Sequence, residues 1–139
     1  MITNSTEEQK GFRGLRVYRL AYETSMEIFR MTRKFPHDEI YCLTKQIRCS
    51  SRSVVSNIAE GYRKSSYPKH FVSKLTDADS ECSETTVWLD YAVDCGYIEK
   101  EERASLIDKY RSVGRMLDAM MKHPEKFKRF SSSDQPAGN

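Results

Sequence analysis

The feature that most limits how this chain can fold is a run of apolar residues with helical spacing, broken at three places. Leu15, Tyr18, Ala21, Ser25, Ile28 and Thr32 recur at steps of three and four, which stacks them along one face of a helix. Phe35-Pro36 then stops it, because proline has no N–H to donate and disfavours helical geometry in the residue before it. The spacing predicts a first helix over about 14–34.

Beyond that break Ile40, Leu43, Ile47, Val54 and Ile58 fall within an arc of about 60° when residues are placed 100° apart. This predicts a second helix over 39–63, with Asp38 as its cap and Glu39 in a first turn that favours negative charge. Ser65-Ser66-Tyr67-Pro68 breaks the chain again and places proline in the first turn of a third helix, 67–95. The seam of that helix is Phe71, Leu75, Ala78, Cys82, Thr85, Leu89 and Val93, and Gly96 stands where a left-handed C-terminal cap belongs. The last helix opens on Glu99, Glu101 and Glu102 and follows Ala104, Ile107, Tyr110, Gly114, Leu117 and Met121. It ends at Lys122 and His123 before Pro124, with charges matched to the dipole at both ends.

Helices of about 20 to 30 residues joined by short loops favour antiparallel neighbours. The expected fold is therefore all-α: a single-domain, up-down-up-down four-helix bundle over 12–130, with polar segments 1–11 and 131–139 expected to fray. A length of 139 residues suits one core, and only six Gly and four Pro leave little of the turn chemistry an all-β fold needs.

Several function classes find no support. Residues 1–11 lack the apolar stretch of a signal peptide, and no apolar run reaches about 18 residues, so a cytoplasmic location away from membranes is expected. Cys42, Cys49, Cys82 and Cys95 form no CxxC pair and no zinc spacing with His37, His70 and His123, and are expected to be buried, reduced thiols. No histidine has a Glu three residues before it, as a di-iron bundle requires. Walker and GxGxxG loops are absent, and Gly61-Tyr-Arg-Lys-Ser-Ser has the wrong order for a phosphate loop. His37-Asp38 stands alone at a helix start, where capping is the simpler use of the Asp. The expectation is a protein that binds and does not catalyse, without metal or cofactor.

The binding candidate lies on the second helix. Lys45, Arg48, Arg52 and Arg63 project to an arc centred about 140° from the apolar seam, with no acid within it, and Lys64 extends the arc around the helix end. Such a stripe can neutralise the phosphates of an RNA or DNA backbone. It can equally form internal salt bridges to Asp77, Asp79, Glu81 and Glu84 of the next helix. The net charge of +3, from 23 basic and 20 acidic residues, favours neither, so the placement of the charges decides. Tyr41 and Tyr62 lie in or beside the stripe and could stack on bases, although helix contacts are the commoner use of such residues. In Ser56-Asn57-Ile58-Ala59-Glu60-Gly61, Glu60 is placed to pair across helices or subunits.

Phe12-x-x-Leu15-x-Val17, Phe35-Pro36-x-x-Glu39-x-Tyr41-x-Leu43-x-x-Gln46-x-Arg48, the Ser56–Gly61 block and Gly96-Tyr97-Ile98 together resemble the bacterial four-helix-bundle family of 23S rRNA intervening-sequence proteins, over roughly residues 12–122. The family includes related accessory proteins of diversity-generating retroelements, some of them barrel-shaped pentamers with a basic surface that bind nucleic acid. The resemblance thus implies a homo-oligomer, a pentamer, and a nucleic-acid partner or a protein partner such as a reverse transcriptase. The chain departs from the family pattern at Cys49, where a second Arg is common, at Arg52, where a small apolar residue is usual, and at Val55, commonly Pro. Without that proline the second helix is expected to run straighter.

Overall fold

The computed structural model describes residues 10–128. The expected terminal segments, apart from Lys10 and Gly11, lie outside those residues, as do the last two positions of the expected bundle. Four α-helices carry the fold: α1 (Arg16–Thr32), α2 (Leu43–Arg63), α3 (Pro68–Asp94) and α4 (Lys100–Lys122), with short 3-10 turns at Gly11–Gly14, His37–Glu39 and Pro124–Phe127. No strand occurs among the described residues.

Side-chain register shows how the helices run. On α2 and α3, Ser50 meets Thr85 and, ten residues further along α2, Glu60 meets Lys74, so one number rises as the other falls. Asp90 with Arg103 and Thr76 with Met121 give the same reading for α3 and α4, and Leu20 beside Ser112 with Met31 beside Leu106 gives it for α1 and α4. Each helix packs on two neighbours, and the α2/α3 pair is the most extensive contact. The up-down-up-down bundle follows.

One core runs the length of the bundle, with Ala21, Ile28, Ile47, Val54, Ile58, Phe71, Leu75, Ala78, Leu89, Val113 and Leu117 fully enclosed. Apolar burial of this extent stabilises at roughly 25 cal/mol per Å² removed from water, and is the main force holding the helices together. Small hydroxyls share the interior. Thr24 donates to the Leu20 carbonyl (2.7 Å), Ser25 to Tyr22 (2.6 Å) and Thr32 to Phe29 (3.0 Å), each turned back onto its own helix, whereas the enclosed Ser65 hydroxyl has no partner among the described residues.

The sequence expectations hold for α1 and α3 to within two residues at each end, save that Ala92 and not Val93 is fully buried on α3. The C-terminus of α3 is a Schellman motif. Gly96, at φ 79°, lets its own N–H reach the Val93 carbonyl (2.9 Å) and the Tyr97 N–H reach Ala92 (2.8 Å). Val55 sits within the continuous α2 helix.

Three expectations fail. Asp38 caps nothing, because Pro36 starts a separate turn and α2 begins only at Leu43; the Leu43 N–H donates instead to Glu39 Oε1 (3.3 Å). Ile40, in that same connection, is 40% exposed and no part of the α2 seam. On α4 the buried line is Leu106, Tyr110, Val113, Leu117 and Met120, one residue round from the expected one at most positions. Ala104 and Gly114 are too small to fix the phase of a seam, so the larger residues on either side of that line decided it.

Candidate nucleic-acid interface

Side-chain charge on α2 is segregated by its two neighbours. Its one acid, Glu60, turns toward α3 and binds Lys74 Nζ (2.9 Å), as the sequence suggested, which raises the lysine pKa through the hydrogen bond and the charge of the carboxylate. Both partners are partly exposed, so solvent screening leaves the pair little to contribute. The rest of the Ser56–Gly61 block is also structural: Ile58 is in the core, the Asn57 side-chain amide donates to the Ser53 carbonyl (2.9 Å), and Gly61 admits the close approach of α3. A Cβ at Gly61 would lie 3.1 Å from Leu75 Cδ2 and 3.2 Å from Lys74 Cβ.

Lys45, Arg52, Arg63 and Lys64 are exposed and Arg48 is half-buried, and none of the five forms an ion pair among the described residues. Internal pairing with Asp77, Asp79, Glu81 and Glu84 is therefore absent within the chain. Asp79 lies beside Gly114 in a cleft between α3 and α4. The Glu81 carboxyl is held above its ordinary range by burial first, then by its hydrogen bond to Glu84 and the charges of Glu84 and Asp77. Asp77, Glu81 and Glu84 act on one another, Asp79 turns to α4, and none of the four is paired with the stripe.

The stripe is not continuous. Arg48 and Arg52 stand one turn apart, and Arg63 follows about 22 Å further along from Arg48, at 1.5 Å per residue. Around the first pair α1 contributes residues that the sequence alone did not single out. The Arg48 guanidinium carbon lies 4.9 Å from the centre of the Phe29 ring, and those of Arg52 and Arg33 lie 5.8 Å from it. Arg48 Nε donates to Thr32 Oγ1 (2.7 Å), whose proton is committed to the Phe29 carbonyl, so the hydroxyl lone pair is aimed at the guanidinium. Burial, then the charges of Arg52 and Arg33, push the Arg48 pKa down. Attraction to the ring face, about 0.5–2 kcal/mol for each cation, holds together guanidiniums that repel one another. Phe29 and Arg33 are four apart and share a face of α1, a signal visible in the sequence, but only the antiparallel register brings that face to Arg48 and Arg52.

Tyr41 is 85% exposed, which overturns its expected use at a helix contact, whereas Tyr62 is half-buried. Of the cysteines only Cys82 is buried, its thiol pushed up to about 12 by desolvation. Cys42, Cys49 and Cys95 are exposed because they lie in a connection, on the outward line of α2 and at a helix end, positions the core does not reach. All four are free thiols. No group of His, Cys, Asp and Glu able to hold a metal occurs among the described residues, and no described helix is long and apolar enough to cross a membrane.

The motifs far apart in sequence meet at one end of the bundle. Phe35 packs on the Tyr97 ring (5.3 Å between centres), and the Tyr97 hydroxyl donates to Glu39 Oε2 (2.8 Å), which raises its pKa to about 12. One carboxylate thus ties the α1–α2 connection, the start of α2 and the α3–α4 loop. A chain with this fold is known from Bacteroides thetaiotaomicron: a protein of unknown function from the S23 ribosomal protein family. It superposes with a TM-score of 0.69 at 25% identity, covering 76% of this chain and 95% of that one. No curated protein matches the chain. The sequence pattern of the 23S rRNA-intervening sequence proteins matches residues 13–119, most of the chain and all of the four helices but the last turn of α4. This chain belongs to the 23S rRNA-intervening sequence protein family.

Proposed function

We propose that this protein is a non-enzymatic accessory protein of the cytoplasm that binds the backbone of a nucleic acid, RNA in the first place, as a homo-oligomer. The observation that carries the reading is the face made by Lys45, Arg48, Arg52, Arg63 and Lys64, cationic and without ion pairs among the described residues, while Glu27 and Glu60 are paired with Lys109 and Lys74 elsewhere. Cations held without counter-charges release bound ions when phosphates replace them, so affinity falls steeply with salt. Few of these groups are positioned for base edges, and selectivity would come from RNA shape and the arrangement of subunits.

The test is binding to a structured RNA and to duplex DNA across a salt series, beside a folded variant with Arg48, Arg52 and Arg63 changed to Gln. Submicromolar binding that weakens with salt and disappears in the variant supports the reading; no binding by the intact oligomer at low salt refutes it.

A second reading rests on α3, where Glu84 lies one turn from exposed Val87 (46%) and two from exposed Tyr91 (56%), with Glu81 one turn before it. An acidic and apolar strip of this kind complements the basic face of another copy or of a protein such as a reverse transcriptase. In that case the ring recruits a protein, and the cations are satisfied between subunits.

A further inference from the structure

We propose that the Arg33, Arg48 and Arg52 cluster over Phe29 is a receptor for a phosphate dianion, as carried by the phosphomonoester at a 5′-phosphorylated strand end, distinct from the single backbone contacts along the rest of α2. The inference deepens the nucleic-acid reading and rests on it.

The cluster is built where the remaining cations are merely displayed. Arg48 is fixed at one end by Thr32 Oγ1 and across its plane by Phe29, and the hydrogen bond to Nε leaves its terminal nitrogen pair free to fork onto an anion. Arg33 ends α1, where the negative pole of the helix favours a cation, and Arg52 is one turn beyond Arg48. All three guanidiniums share one ring, and none has an ion pair among the described residues. Lys45, Arg63 and Lys64 make no ring contact of this kind.

Three mutually repelling cations gain most from the ligand that carries the most charge in the least space. An internal phosphodiester brings one charge and two free oxygens. A monoester brings close to two charges and three oxygens, one for each guanidinium. The same chemistry is offered by a strand end and by free inorganic phosphate.

The experiment compares one single-stranded RNA carrying either a 5′-phosphate or a 5′-hydroxyl, by fluorescence anisotropy at fixed ionic strength, on the full chain and on Arg33→Gln. Arg33 is exposed, outside the core and not among the five backbone-contacting cations, and Arg33→Ala serves as a second variant at the same position. The expected result is a preference of about tenfold for the phosphorylated end, about 1.4 kcal/mol, that collapses toward unity in both variants while binding of the 5′-hydroxyl strand persists. A parallel arm adds inorganic phosphate at constant ionic strength. If it erases the preference at low micromolar concentration the receptor stands with free phosphate as its ligand, and if millimolar phosphate is needed the strand end is the ligand. Equal binding of both strands overturns the receptor and leaves the backbone reading intact. Failure of both strands to bind overturns the receptor and the backbone reading together.

Discussion

Replacing Thr85 with Val tests how the α2/α3 pair is held in register. Thr85 is fully enclosed and Ser50 only 3% exposed, and their hydroxyls are hydrogen-bonded across the two helices at 2.8 Å. Valine keeps the shape and removes the oxygen. Ser50 then has only the Ile47 carbonyl on its own helix, at a long 3.4 Å. Losing a buried hydrogen bond while leaving its partner poorly satisfied costs about 1–2 kcal/mol. Ser50→Ala costs less, about 0.5–1 kcal/mol, because the Thr85 hydroxyl retains the Glu81 carbonyl at 2.8 Å. With both hydroxyls gone the pair leaves neither of them stranded, so the double variant should be no worse than Thr85→Val alone, a coupling of about 0.5–1 kcal/mol. Urea unfolding followed by circular dichroism at one protein concentration measures the cycle, with unchanged slopes showing that the unfolded state is unaffected. A Thr85→Val variant as stable as the parent, or single effects that add to within about 0.3 kcal/mol, would refute the argument.

Gly61→Val should destabilise by about 1–3 kcal/mol, since the branched side chain overpacks against Leu75 and the Lys74 stem; a thermal melt no lower than the parent's contradicts this. Tyr97→Phe removes the bond to Glu39. Because the folded tyrosine has its pKa raised to about 12, against about 10 unfolded, the bond's contribution is complete below pH 10 and lost as pH rises toward 12. The parent's advantage over the variant in denaturation midpoint should therefore shrink across that window, and an advantage constant to pH 12 counts against the bond. A thiol reagent at neutral pH should modify Cys42, Cys49 and Cys95 and spare Cys82 until the protein unfolds, as mass spectrometry would read; early labelling of Cys82 contradicts its enclosure.

Helical periodicity made the bundle legible because the apolar side chains that report it are the ones that must be buried. It was legible for α1 and α3, whose seams carry large residues or several successive matches, and lost phase on α4, where Ala104 and Gly114 were given weight that only packing can assign. The start of α2 was misread because local capping rules favoured Asp38, whereas the group that meets the Leu43 N–H is Glu39, itself positioned by Tyr97 from 58 residues away. The basic face shows the same division. Its α2 members follow from the angular position of each residue on one helix. Phe29, Thr32 and Arg33 complete it from another helix, through a register that no single-helix projection contains.

Cations gathered where α1 meets α2, and carboxylates gathered on α3, place opposite charges on different parts of a nearly balanced chain. If the α2 face takes a polyanion as proposed, a molecule charged in this way feels little net pull at a distance but a torque that turns that face forward. A net charge of +3 conceals that separation, and only the placement of the charges reveals it.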